Sequence, residues 1–127
     1  MAKILIVEDD VSNADTLAEL IKLFRHTPET VYSAEAATAR LGAGSVPDII
    51  VTDYVLPGID GVQFCHRVRA VNNCGKLPII FTTASDCDVV ATISGLLDQL
   101  GPITLLRKPF DPDELCGVIS KYLVRIK

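Results

Sequence analysis

The sequence predicts an α/β protein: a doubly wound, three-layer structure in which a five-stranded parallel sheet is covered on both faces by helices. Three observations predict it. Short apolar runs alternate with helix-period segments five times along the chain, and βα units in series build parallel sheets. The runs are apolar at nearly every position, as in Ile4–Val7, Ile49–Val51 and Ile79–Phe81, which is the pattern of strands buried on both sides. The chain has 127 residues, 49% of them apolar, enough for one domain with a sizeable core and no need of disulfides or metal staples.

The elements follow in order. Lys3–Val7 reads as the first strand. The first helix sets Ala14, Leu17, Ile21 and Phe24 on one face, with Ser12 as its N-cap, Asp15 three residues on, and Pro28 just past its end. Thr30–Ser33 is a weaker second strand, and Ala34–Leu41 is a short helix closed by Gly42-Ala43-Gly44. Ile49–Thr52 is the third strand, Pro57-Gly58 and Gly61 mark a loop, and Val62–Val71 is the third helix. Ile79–Thr83 is the fourth strand and Val89–Leu100 the fourth helix. That helix carries Val89, Val90, Ile93, Leu96, Leu97 and Leu100, more than one buried stripe requires, which predicts an apolar contact surface. Thr104–Arg107 is the fifth strand. The last helix is capped at Asp111, has Pro112 at its first helical position and Glu114 three residues after the cap, and buries Leu115, Val118, Ile119, Tyr122 and Ile126. No repeat, linker or low-complexity tract interrupts residues 1–127, which read as one domain.

Composition narrows the function. A net charge of −4 with no basic stripe argues against direct nucleic-acid binding. No apolar run approaches a membrane span, and the four apolar residues before Glu8 do not make a signal peptide, so a cytoplasmic location and no membrane contact are expected. Cys65, Cys74, Cys87 and Cys116 show no paired spacing, and His26 and His66 complete no ligand set. Reduced, mostly buried thiols are expected.

In open α/β sheets the site lies at the carboxyl ends of the strands. Strand one ends in Glu8-Asp9-Asp10, strand three in Asp53, strand four in Thr83, and strand five in Lys108-Pro109. Singly each has an ordinary explanation: an acidic helix cap, a turn aspartate, a solvated lysine. Together, four strand ends deliver carboxylates, a hydroxyl and an amine to one rim. Clustered carboxylates repel, and a hard divalent cation such as magnesium relieves them. A carboxylate beside such a cation can act as a nucleophile and form an aspartyl phosphate, with Lys108 and Thr83 meeting the phosphoryl oxygens.

These residues resemble a known family. Ile4–Val7 with Glu8-Asp9-Asp10, Pro47 to Asp53 with Tyr54 through Gly61, Thr83-Ala84, and Lys108-Pro109-Phe110 are similar to the receiver domain of two-component response regulators, over the whole chain. The resemblance implies a flavodoxin-like sheet of strand order 2-1-3-4-5. It implies that Glu8 and Asp9 form an acidic pair, with Asp9, Asp53 and the backbone carbonyl of Val55 holding Mg2+. Asp53 would accept the phosphoryl group, Thr83 and Lys108 would hold its oxygens, and the Lys108–Pro109 bond would be cis. The donor would be a phosphohistidine on a sensor histidine kinase or a histidine phosphotransfer protein. A downstream protein would read the face made by the fourth helix, fifth strand and fifth helix. The domain would be a switch that catalyses only its own phosphorylation and dephosphorylation, not an enzyme acting on other substrates.

The chain departs from the family pattern at three places. Leu105 stands where the fifth strand usually carries an aromatic residue that rotates with the switch threonine, so that coupling is not carried over. Asp98-Gln99-Leu100-Gly101-Pro102 lengthens the stretch before the fifth strand. Val118 stands where the DNA-binding winged-helix subfamily has a dimer-forming arginine, so that dimer is not carried over either. Other readings fit less well. Strand one lacks the Asp-x-Asp of an aspartyl-nucleophile phosphatase, Val55 breaks an Asp-x-Asp at strand three, and no Gly-x-Gly-x-x-Gly follows strand one. A module of the same fold that no longer uses phosphate is the nearest alternative; the intact set Glu8, Asp9, Asp53, Thr83 and Lys108 argues against it.

Overall fold

A computed structural model describes residues 2–71, 74–83, 95 and 98–126. Its main sheet has five parallel strands: β1 (Lys3–Val7), β2 (Thr27–Val31), β3 (Ile49–Asp53), β6 (Ile79–Thr83) and β7 (Ile103–Arg107). Their order is β2-β1-β3-β6-β7, the predicted 2-1-3-4-5 once a small hairpin is set aside. That hairpin is β4 (Val55–Leu56) paired antiparallel with β5 (Ile59–Asp60). The helices are α1 (Val11–Leu23), α2 (Ala34–Gly42), α3 (Gly61–Ala70) and α4 (Pro112–Ile126). The predicted fourth helix, Val89–Leu100, lies outside the described residues except at Gly95, which is helical, and at its end, where Asp98–Leu100 form a 3₁₀ turn.

The alternation of side chains along each strand makes two cores, one on each face. Leu5, Val7, Ile50, Ile79 and Phe81 point toward α2 and α3 with Phe64, Val68 and Leu41. Ile4, Ile6, Ile49, Val51 and Ile80 point toward α1 and α4 with Ile21, Leu115, Ile119 and Tyr122. A strand buried on both faces needs no polar alternate, which is why β1, β3 and β6 read as unbroken apolar runs.

Local differences from the sequence reading have physical reasons. The N-cap of α1 is Asp10, not Ser12: the Asp10 carboxylate accepts from the Asn13 N–H at 3.0 Å, and the helix begins at Val11. The second strand starts at Thr27, not Thr30, and takes in Pro28. A proline is tolerated there because β2 is an edge strand, where one missing N–H leaves no ladder partner unpaired. α3 begins at Gly61, one residue before the expected Val62, with Asp60 as its N-cap; the Asp60 carboxylate accepts from Gln63 N–H while the Gln63 side chain accepts from Asp60 N–H, a capping box. On α4, Leu115, Ile119 and Tyr122 are buried as expected, and the Ile126 side chain lies outside the description. Cys65 and Cys74 are buried free thiols and Cys116 is partly buried, while Cys87 is outside the described residues.

Candidate functional site

The strand order brings the ends of β1, β3, β6 and β7 side by side, with β3 next to both β1 and β6. Glu8 directly follows β1 and is only 3% exposed; its N–H donates to the Val31 carbonyl, prolonging the β1–β2 ladder. Its Oε1 accepts from the Asp10 N–H at 3.2 Å. Burial raises the Glu8 carboxyl above its ordinary value; the Asp10 N–H opposes this, the charges of Asp53 and Asp9 reinforce it, and Lys108 opposes it. Asp9, one residue on, is exposed at the rim.

Asp53 is the last residue of β3 and stays partly open, its side chain 21% exposed. Lys108 reaches it across the sheet, Nζ to Oδ2 at 3.3 Å. The other oxygen, Oδ1, faces the Val55 N–H at 3.4 Å. Thr83, 2% exposed, ends β6, and its carbonyl accepts from the Lys108 N–H at 2.7 Å. That bond carries the β6–β7 pairing one residue beyond β7 and fixes where the lysine leaves the sheet. The Lys108–Pro109 peptide is cis.

The structure therefore brings Asp53 and Lys108 into direct contact, with Glu8 buried within the electrostatic reach of both, and sets Thr83 beside them on the next strand. Val55 does not pack: its side chain is 65% exposed on β4. Among the described residues no three His, Cys, Asp or Glu side chains close into a ready-made metal cage. The donor set still suits one kind of ion. It offers hard oxygen donors on an open rim beside a carboxylate whose charge is disfavoured chiefly by burial, and magnesium is held by one or two carboxylates with several waters. Beside Glu8 and Lys108 opens a cavity of about 450 Å³, walled by Leu17, Leu20, Pro109 and Phe110.

Sequence reasoning missed the way the loop after Asp53 is built. Leu56-Pro57-Gly58-Ile59 is a tight turn with Gly58 at φ +78°, as a type II turn requires at its third position. The Pro-Gly pair between apolar Val55-Leu56 and Ile59 was the available signal. Behind the turn, the Tyr54 ring packs edge-to-face on Phe81 (centroids 5.6 Å apart) and lies against Gly61.

A doubly wound sheet whose carboxyl-end rim carries carboxylates, a hydroxyl and a lysine marks a signalling domain of the response-regulator class. The chain belongs to the response regulator receiver domain family, whose model matches residues 4–120. It is 34% identical over 125 residues to the sensory transduction protein RegX3 of Mycobacterium tuberculosis, an alignment covering 98% of this chain and 52% of that protein. It is 29% identical over 127 residues to the phosphate regulon transcriptional regulatory protein PhoB of Rhizobium meliloti, covering 100% of this chain and 54% of the relative. The chain thus spans about half the length of these relatives. Among solved structures, the Francisella response regulator 1452 receiver domain superposes with a TM-score of 0.84 at 25% identity, each chain covered in full. The receiver domain of the Pseudomonas aeruginosa sensor histidine kinase PA1611, solved with magnesium coordinated in its active-site cleft, superposes with a TM-score of 0.81 at 25% identity, covering 96% of this chain and 97% of that one. The protein is a receiver domain of two-component phosphorylation signalling.

Proposed function

We propose that Asp53 is the phosphoacceptor of this receiver and that residues 1–127 act as one switch domain. The observation that carries this reading is the Asp53–Lys108 contact at the strand ends, with an open carboxylate held by a cation and flanked by a buried one. An Asp53 carboxylate oxygen attacks the phosphorus of a phosphohistidine. The new O–P bond forms as the P–N bond breaks, and the electron pair leaves with the imidazole nitrogen of the donor. Lys108 then moves its charge from the carboxylate to a phosphoryl oxygen, and the Thr83 hydroxyl donates to another. Asp9, Asp53 and the Val55 carbonyl are the residues that would hold Mg2+, with Glu8 behind Asp9; when bound, the ion supplies positive charge that screens the incoming phosphoryl group. Whatever holds the ion, Lys108 is the one ammonium that reaches Asp53 directly in the described structure.

The donor in this reading is a sensor histidine kinase or a histidine phosphotransfer protein. The cavity walled by Leu17, Leu20, Pro109 and Phe110 gives its apolar side chains a place to lodge next to the acceptor. The downstream partner in this reading binds at β7 and α4; Val124 on α4 is 76% exposed, and the remainder of the expected face, segment 89–100, lies mostly outside the described residues. A cytoplasmic setting for the exchange is part of this reading; no helix among the described residues is long and apolar enough to cross a membrane. The test is substitution. Asp53→Asn should abolish labelling by acetyl phosphate in the presence of magnesium, read by intact mass; stoichiometric labelling of that variant would sink the assignment.

A further inference from the structure

The loop that carries Val55 has an unusual support. Val55 is 65% exposed, so little of the place of its peptide is set by its own side chain and most by its neighbours. The chief neighbour is Tyr54. Its N–H donates to the Thr82 carbonyl at 2.8 Å, extending the β3–β6 ladder past the acceptor. Its ring is 9% exposed, edge-on to Phe81. Its hydroxyl lies near the Val62 N–H in the first turn of α3. The ring occupies the space a side chain at position 61 would need: a Cβ there would sit 2.2 Å from Cδ2 and 2.4 Å from Cε2 of Tyr54, and 3.1 Å from Cε1 of Phe81. Real Cβ contacts do not come that close, so the glycine is what admits the ring.

The chain between the two residues is the β4–β5 hairpin, paired Val55 with Asp60 and Leu56 with Ile59. Tyr54 sits at its entrance and Gly61 at its exit. Closing one against the other fixes both ends of the loop, and the Val55 N–H faces Asp53 Oδ1 at 3.4 Å.

From this geometry we infer that Tyr54 is a positioning residue for the acceptor site: clamped between Gly61 and Phe81, it sets the place of the Val55 peptide beside Asp53. This rests on the reading of Asp53 and the Val55 carbonyl given above. Leu105 pairs with Phe81 in the β6–β7 register and packs on the same core. The aromatic mass on this face therefore comes from Tyr54, Phe64 and Phe81 and not from β7, and Tyr54 follows the acceptor directly in the chain.

The test is a substitution cycle read by magnesium calorimetry, thermal unfolding and acetyl-phosphate labelling together. Tyr54→Leu removes the ring, Gly61→Ala forces it out, and the double variant relieves the clash without restoring the ring. A residue that supports a metal ligand without touching the metal changes affinity by roughly ten- to a hundredfold. Tyr54→Leu should therefore weaken magnesium binding about tenfold or more. The double variant should regain melting temperature relative to Gly61→Ala yet keep the weak binding, whereas Tyr54→Phe, which keeps the ring, should bind as the parent does. Magnesium affinity that recovers with the melting temperature in the double variant, or that is unchanged in Tyr54→Leu, overturns the positioning role. If Gly61→Ala does not fold, the comparison of Tyr54→Leu with Tyr54→Phe decides alone. A parent chain that labels at Asp53 but shows no saturable magnesium binding overturns this inference and leaves the acceptor standing; a parent that binds magnesium without labelling overturns the acceptor instead.

Discussion

At the scale of single residues, the site follows from charges that cannot ignore one another. Asp9 is the exposed member of the acidic pair, so it is the one free to meet an ion directly, while Glu8 is fixed by burial and by the Asp10 N–H. Asp9→Ala should therefore remove most of the magnesium affinity with little loss of stability; a calorimetric titration that matches the parent refutes that role. Val55 leads to a second expectation. It stands next to the acceptor with no polar atom on its side chain, so it cannot orient a water for attack on an acyl phosphate, and orienting and deprotonating groups are worth about 10²–10⁴-fold in rate. The phosphorylated chain should be long-lived, and Val55→Asn should lose phosphate faster by about tenfold. Equal decay of the two proteins after removal of the donor contradicts this. Glu8, Asp9, Asp53, Thr83 and Lys108 were legible in the sequence as candidates because each stands at or just past a strand end, where topology fixes its place; Val55 came only with the family resemblance. Tyr54 and Gly61 were not, since a tyrosine next to an acceptor and a glycine in a loop announce nothing until the ring is found lying where a Cβ would go.

At the scale of elements, the inserted segment before β7 shows how a sequence departure is absorbed. The Arg69 guanidinium, near the end of α3, donates to the carbonyls of Cys74 at 2.8 Å, Leu77 at 2.7 Å, and Leu100 in the 3₁₀ turn. Gly101, at φ +97°, keeps the turn clear of the guanidinium: a Cβ there would lie 3.1 Å from Arg69 Nε. Arg69→Met should leave these carbonyls short of donors and cost about 2 kcal/mol or more in denaturant unfolding; a change within 0.5 kcal/mol would mean that water replaces the arginine. The β2 edge carries a pH signature. The His26 Nδ1 accepts from the Ala2 N–H at 3.2 Å, which requires the neutral ring, and burial lowers the pKa of His26, with Asp48 opposing. A lowered folded value means that the stability is present above the ordinary value of 6.5 and is lost as the pH falls through the folded value. Glu8 has the opposite sign, because its raised value favours the folded state at low pH and that gain is lost as pH rises. Comparing the parent with His26→Gln between pH 7.5 and 5 isolates the histidine: the parent should lose more stability on acidification, and parallel curves would remove the effect. These contacts were not readable beforehand. The strand was expected from Thr30, because Pro28 argues for a helix stop as readily as for an edge strand, and only the pairing with β1 settles which.

At the scale of the whole molecule, periodicity determined the architecture well because both faces of the sheet are buried. Unbroken apolar strands and helical stripes lead to a serial βα arrangement with a parallel sheet; the strand order came from the family resemblance, and it matches that seen. The apolar surplus of segment 89–100 falls mainly outside the described residues, so the predicted contact face rests on the sequence and on β7 and α4. The chain covers 52% of the RegX3 protein it resembles. The central claim is that phosphoryl transfer ends on one carboxylate, Asp53. It is tested most directly by labelling the parent chain with acetyl phosphate and magnesium, reducing with borohydride, and mapping the product by peptide mass spectrometry. Borohydride converts an aspartyl phosphate to homoserine. The account predicts homoserine at position 53 and nowhere else; homoserine at Asp9 or Asp10, or an unmodified chain after labelling, would contradict it.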